Sequence, residues 1–409
     1  MQFRPIISAM RRNKVGAILI AVQMAITLAI MCNALFIIEQ RVAISKRPTG
    51  ADETNVIVIQ NQWVGNPPDL LARQQADLAA LRALAGVQDA FSTNTFPLSG
   101  GGITTGLSLH PDQKDATALA SVYFGDEHAI AALGLKLIAG RNFNPDEVVD
   151  KLGLTDQKPP AAMIITRALA EQLFPNGSAV GQSVYEDPEK GQLPIVGVVE
   201  QLQVPWVSAG GWGSKFNGSS IITPFHFLSS YPTYYIVHAQ PGHAISVLEA
   251  APKKLFELSR ARVIKKTQTL TMARVEAYKD DKGLVIILSV VCVLLVAVTA
   301  FGIVGLTSYW VAQRRRQIGI RRALGATRNA IVQYFQTENL LIAGAGAALG
   351  IGLAISLNLW MVNTFAMQRL HTSYALIGAI VVLLLGQASV LWPALKAASI
   401  PPALATRAA

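Results

Sequence analysis

The stretch QRRRQIGIRRALGATRNAIVQYFQTE, Gln313 to Glu338, decides how the rest of the chain is read. Arg314, Arg315, Arg316, Arg321, Arg322 and Arg328 all precede its first acid, Glu338, and Ile318, Ile320, Leu324, Ile331 and Phe335 run among them. Uncharged runs flank it, Leu284–Ala312 before and Asn339–Met367 after. A basic segment between two such runs marks one membrane face. Within it, Ala323-Leu-Gly-Ala-Thr327 reads as a helix stop and restart. Gly325 can take the left-handed conformation at a helix end, and Thr327 can cap the next helix. Two readings follow from the residues. The segment is a basic helix lying on anionic headgroups, or its tip, Ile320-Arg321-Arg322-Ala323-Leu324-Gly325-Ala326-Thr327-Arg328, docks a cytoplasmic partner through a small apolar point with arginine flanks.

Working outward, Val15–Ile38 is also free of charge. At 1.5 Å per helical residue it spans a hydrocarbon core of about 30 Å. It is too long, and lacks the small-x-small closure, for a cleaved signal peptide. The expected spans are therefore 15–38, 284–312, 339–362 and 374–395. Residues 1–14 and 396–409 lie on the cytoplasmic side with the coupling segment 313–338, and 363–373 is a short external loop. The amphipathic run Leu270–Gly283 can continue the second span into a rod of about 60 Å, with Gly283 as its point of interruption. In the third span Gly344, Gly346 and Gly350 belong to small-xxx-small spacings suited to helix packing. No Lys-Ser/Thr follows them, as a phosphate loop requires.

The remaining region, 39–283, is polar. Between Gln40 and Gly283 there are 22 Lys/Arg and 23 Asp/Glu, so the chain's net charge of +10 sits beside the apolar runs. That distribution argues for a membrane and against nucleic acid. Short β-branched runs such as Asn55–Gln60, Ala161–Ile165, Leu193–Val199 and Tyr234–Ala239 alternate with helical patterns such as Leu70–Leu84 and Ala244–Leu258. The fold class is thus an α-helical membrane protein with four transmembrane helices and a large exported α+β domain between the first and second, divisible into two subdomains. Pro97–Gly102 and Trp206–Gly218 read as flexible loops. Cys32 and Cys292 both fall in apolar runs, so the exported region has no disulfide framework.

Several chemistries find no support. The sequence holds no GxxxxGK[ST] and no HExxH. Its six histidines have no metal-ligand spacing, and Ser99, Ser219 and Ser220 lack a nucleophile elbow. The spans carry no charged residue from which to build an ion relay.

The segment QRRRQIGIRRALGATRNAIVQYFQTENLLIAGAGAALGIGLA resembles the FtsX-like permease module of ABC transporters of the MacB and lipoprotein-release class. The pattern there is R-x-x-E-I-G-I-R-x-A-x-G-A, a helical stretch, a Glu and a glycine-rich span. Gln317 stands where the family has the first Glu, and it cannot make that acid's ion pair. WPALKAASIPPALATR resembles the family's closing run. In the polar region, Gly134, Leu137, Gly140, Arg141 and Phe143 match the family's G-x-x-L-x-x-G-R-x-F. AAMIITRALAEQLFPNGSAVGQSV and PIVGVVEQLQ resemble two further runs of its periplasmic core.

The resemblance implies a permease dimer in a bacterial inner membrane, made with a second copy or a paralogue. It implies a separate cytoplasmic ATPase, which holds the ATP and Mg, so that this chain carries neither cofactor nor catalytic residue. Closure of the ATPase would move the coupling tip, and the long second span would carry that motion outward. A periplasmic adaptor and outer-membrane channel are further partners the family allows. The alternative is a regulatory scaffold controlling a periplasmic enzyme. A plain receptor accounts for a domain between two spans but not for the third and fourth spans.

Overall fold

The computed structural model describes residues 14–399 apart from 66, 157, 188, 190, 208–215, 217, 230–231 and 366–367. The expected N-terminal segment before Lys14, most of the Trp206–Gly218 loop and the tail beyond residue 399 lie outside the described residues. The chain divides into two compact units, Ile44–Asp280 and Met1–Ala43 with Asp281–Ala409.

In the first unit the chain runs β1 (Val56–Trp63), α2 (Leu70–Arg82), β2 (Val87–Thr93), β3 (Ile103–Leu107), β4 (Ala118–Gly125), α3 (Ala129–Leu133), β5 (Leu137–Gly140) and β6 (Val149–Leu152). It continues with β7 (Met163–Thr166), α4 (Arg167–Leu173), β8 (Ser183–Val184), β9 (Leu193–Val199), β10 (Ser220–Leu228), β11 (Thr233–Ala239), α5 (Ala244–Leu258), β12 (Arg262–Thr269) and α6 (Leu270–Ala277). Helix α1 (Lys14–Ser45) precedes them. The strands form a four-stranded sheet in the order β12-β1-β11-β2 and a larger one ordered β3-β4-β10-β7-β9-β5, to which β6 and β8 add. Strands β3, β5, β6 and β8 are absent from the sequence reading. They are short, and only Leu107 of the β3 and β5 residues is buried. Such strands carry little apolar signal of their own and depend on their sheet neighbours.

Alternation sorts the buried residues. Ile57, Ile59, Tyr235 and Val237 face α2 and α5, where Leu78, Leu81, Val247 and Leu255 cover them. Val56, Val58 and Ile236 face the other way and join Tyr123, Ile164 and Ile222 of the larger sheet in a shared core. Across the first of these layers lies a buried ion pair. Arg262 Nη1 and Nη2 donate to Asp77 Oδ2 and Oδ1 at 2.7 and 2.8 Å, and Tyr235 Oη donates to Asp77 at 2.7 Å. Trp63 stacks on the guanidinium at 4.3 Å.

A second clamp joins the two segments by which the chain enters and leaves this unit. Arg274 on α6 donates to Glu53 at 2.6 Å and to the Ser45 and Arg47 carbonyls at 2.8 and 2.7 Å. Burial works against the Glu53 carboxylate, but hydrogen bonds from Arg274 and Thr49 hold it below the usual range.

The Pro97–Gly102 loop, expected to be flexible, is braced. Thr95 Oγ1 and Ser99 Oγ donate to the Gly101 carbonyl at 2.6 and 2.8 Å, and the Gly100 N–H donates to Pro205. Leu98 adopts φ 70° and is buried with Ile44 and Tyr278. Its packing holds a conformation that a branched side chain otherwise avoids.

The second unit is helical: α1, α7 (Lys279–Gln313), α8 (Arg315–Ala323), α9 (Arg328–Phe365) and α10 (Thr372–Ala398). Four of these, α1, α7, α9 and α10, are long and apolar enough to cross a membrane. The break before α7 falls at Tyr278, where α6 ends, and not at Gly283, which lies inside the helix. Without a Cβ contact to relieve or a positive φ to adopt, Gly283 continues the helix. Arg41 and Asp281 pair at 2.5 Å and join α1 to the start of α7.

Candidate functional site

Helix α1 organises the helical unit. Gln23 Nε2 donates to the Val298 carbonyl at 3.0 Å and Thr27 shares a 2.8 Å hydroxyl contact with Thr299, both on α7. Asn33 Nδ2 donates to the Ala354 carbonyl of α9 at 3.1 Å. In an apolar environment such bonds fix which helices meet. The packing glycines act on the same helix. A Cβ at Gly346 would lie 2.7 Å from the Ala21 carbonyl oxygen, and one at Gly350 would lie 2.9 Å from Leu28 Cβ. Gly344 differs, because a Cβ there meets nothing within 4 Å in this chain. Spacing on one helix does not specify which face the partner covers. Gly378, on α10, makes the closest approach to α1 at Cys32, and sequence spacing did not single it out.

The arginine segment forms a hairpin. Helix α8 ends in a complete left-handed cap: Gly325 adopts φ 99°, its N–H bonds the Arg322 carbonyl at 3.1 Å, and the Ala326 N–H bonds the Arg321 carbonyl at 3.0 Å. Thr327 Oγ1 then accepts from the Ala330 N–H at 3.2 Å and starts α9. Ile320 and Leu324 are exposed at this turn, Leu324 by 83%. Arg321 is exposed as well and lies over the Tyr334 ring at 5.0 Å, while Arg322 is half-buried. Ala323, Thr327 and Arg328 are exposed, and Ala326 packs partly against the core.

Two features add to the sequence reading. First, α9 runs unbroken from Arg328 to Phe365, so the 313–338 segment and the span after it share one helix. No proline interrupts the run. Second, Glu338 has a partner. It is 2% exposed inside α9, and both its carboxylate oxygens accept from Arg314 Nη1, at 3.0 and 2.8 Å. Gln317 is exposed. The acid that meets the arginine of the R-x-x-E pattern therefore comes from 24 residues further along the chain.

One other cluster merits notice. Asp126, Glu127 and His226 bring ligand-competent atoms within 4.8 Å of one another. Asp126 and Glu127 are neighbours in sequence and meet the distant His226 because β4 ends beside β10. Burial pushes the Asp126 carboxyl up, against the pull of His128 and Arg82. Arg82 Nη2 stands 3.7 Å from Asp126, and His226 Nδ1 lies 3.1 Å from Asp150. Arg82 already answers part of this charge.

Residues 17–255 match the model of the MacB-like periplasmic core domain, and 289–402 match the FtsX-like permease C-terminal model. The chain belongs to the MacB/FtsX-like family of ABC permeases. A macrolide export ATP-binding/permease protein MacB from Neisseria meningitidis is 24% identical over 71% of this chain and 44% of its own length. The MacB of Escherichia coli K12 is 23% identical over 62% of this chain and 37% of its own. The chain spans less than half the length of the curated relatives it matches. Among solved structures, the periplasmic region of MacB from Actinobacillus actinomycetemcomitans is 15% identical, covering 56% of this chain and 95% of that one, with a TM-score of 0.34.

Proposed function

We propose that this chain is the permease subunit of an ATP-driven export or extraction complex in a bacterial inner membrane. In this reading the mixed unit is exported, lying between the first and second spans, and the hairpin between α8 and α9 faces the cytoplasm. An ABC ATPase carried by another polypeptide docks on the hairpin and holds the ATP and Mg. Two permeases assemble as a dimer, with a periplasmic adaptor and outer-membrane channel as further partners. The site residues are Ile320 to Arg328, whose role is to receive the stroke of the ATPase. Helix α7 follows α6 after a single residue and is about 50 Å long, so it has the length to carry a displacement through a core of about 30 Å.

The observation that carries the reading is the exposed Leu324 at a capped, rigid turn among arginines. A protruding apolar side chain on a fixed backbone suits a groove, and flanking guanidinium groups suit its acidic rim. The basic spans-and-loops pattern supports the orientation.

The test is a Gly325→Trp variant of the purified complex. Substrate-stimulated ATP turnover should be lost while the permease remains folded. Retention of both assembly and stimulated turnover would remove the coupling assignment. Arg328→Glu should weaken co-purification of the ATPase at moderate salt, and unchanged recovery would assign the arginines to lipid.

A further inference from the structure

We propose that Arg314 and Glu338 are positioning residues which latch α8 onto α9, so that the tip moves with α9 and the chain bends at Gln313–Arg314. The functional side of this inference rests on the coupling reading above.

The helix that carries the tip is not a simple extension of α7. Arg314 has φ −95° and ψ 12°, outside helical geometry, and it separates α7 from α8. Beyond that break α8 is tied to α9 by two side-chain pairs and shares an apolar core with both α9 and α10. Arg314 pairs with Glu338 near its start, with side chains 13% and 3% exposed. Ile318, at its middle, joins a core shared with Ile331 and Phe335 of α9 and with Ala394 and Ala397 of α10. Arg321 lies over Tyr334 near its end. In the two side-chain pairs the partner number falls from 338 to 334 as the α8 number rises from 314 to 321, the sense of an antiparallel hairpin. The tip from Leu324 to Thr327 closes it with a left-handed cap and a threonine cap.

These ties differ in kind. The apolar contact is non-directional and lets one helix slide on the other. The aromatic contact at Tyr334 is on a half-exposed ring. The charged pair is directional and desolvated, and removing one partner leaves the other buried and unanswered. It therefore sets both the register and the angle of α8. A force on Leu324 passes into α9 through this pair, while the irregular backbone at Arg314 absorbs the change of direction relative to α7. Because α9 packs on α1 through Gly346 and Gly350, and α1 is hydrogen-bonded to α7 through Gln23 and Thr27, a displacement taken up by α9 reaches α7, the helix assigned to carry it outward.

The test uses the full chain in lipid nanodiscs with Cys32 and Cys292 replaced by Ala. Spin labels are placed at Arg316→Cys on α8 and Gln333→Cys on α9, both exposed positions. A second label pair, Gln333→Cys with Leu340→Cys, lies wholly inside α9 and reports folding. The native pair should show one narrow distance. With Glu338→Gln that narrow distance should be lost while the α9 pair keeps its own. The exchanged variant Arg314→Glu with Glu338→Arg should restore it. An unchanged α8–α9 distance in Glu338→Gln overturns the latch, as does failure of the exchange to restore it while the α9 pair stays narrow. Neither measurement involves an ATPase, so the outcome is independent of Gly325→Trp. If Gly325→Trp uncouples but Glu338→Gln leaves the distance intact, the latch is wrong and the coupling reading stands.

Discussion

Two arginine–carboxylate pairs, one in each unit, use the same chemistry to different ends. Arg262 grips Asp77 with two nitrogens, receives Trp63 on its face and shares the acid with Tyr235. Both side chains are at most 2% exposed and sit under a closed sheet-and-helix layer. Arg314 offers a single nitrogen to both oxygens of Glu338, and it stands at a break between helices next to an exposed tip. The first pair is surrounded by partners that leave it one geometry. The second is bounded by an irregular backbone and so holds an angle between two helices. Buried charge stabilises little by itself, because desolvation offsets attraction. What it supplies in each place is direction, and the surroundings decide whether that direction fixes a core or sets a hinge.

The largest effect should come from breaking the first pair. Asp77→Ala leaves a buried guanidinium and should cost the mixed unit about 3–5 kcal/mol. Urea unfolding followed by tryptophan fluorescence measures it, and a loss near zero would mean that water reaches Arg262. A smaller effect is expected where backbones touch. Gly346→Leu forces α1 and α9 apart and should cost about 1–3 kcal/mol, whereas Gly344→Leu should fall within about 0.5 kcal/mol. Thermal unfolding in detergent distinguishes the two, and equal losses would contradict the packing face assigned to α9.

The smallest effect concerns a third arginine pair, Arg274 with Glu53, which is half-exposed. Glu53 has its carboxyl held below the ordinary range in the folded state, so its contribution is complete above about pH 4.3, the value of a free glutamate. It is lost as pH falls through the lower folded value, because protonation then costs the pair. Limited proteolysis near Ser45 should accelerate on acidification below that point, and Arg274→Met should flatten the dependence. If acceleration instead appears on raising the pH, the sign is wrong.

How much of this was legible beforehand follows from the range of each interaction. The helix end at Gly325 and its restart at Thr327 were readable because a cap is made by neighbours in sequence. The brace on the Pro97–Gly102 loop was not legible because it comes partly from Pro205, a residue distant in sequence. Strands β5 and β6 were missed because their pairing partners, β9 and β10, supply what their own composition lacks.

By itself the sequence determined the number of long apolar helices, the basic character of the turn between α8 and α9, the cap residues that shape it, and the family. These depend on composition, periodicity and local backbone preference, all of which are written in consecutive residues. Only the tertiary structure decided that Glu338 answers Arg314 while Gln317 faces outward, that Gly346 and Gly350 pack but Gly344 does not, and that Asp77 meets Arg262. Each of those is a choice among chemically equivalent partners. Such choices are made by which faces pack together, and no local preference along the chain encodes that.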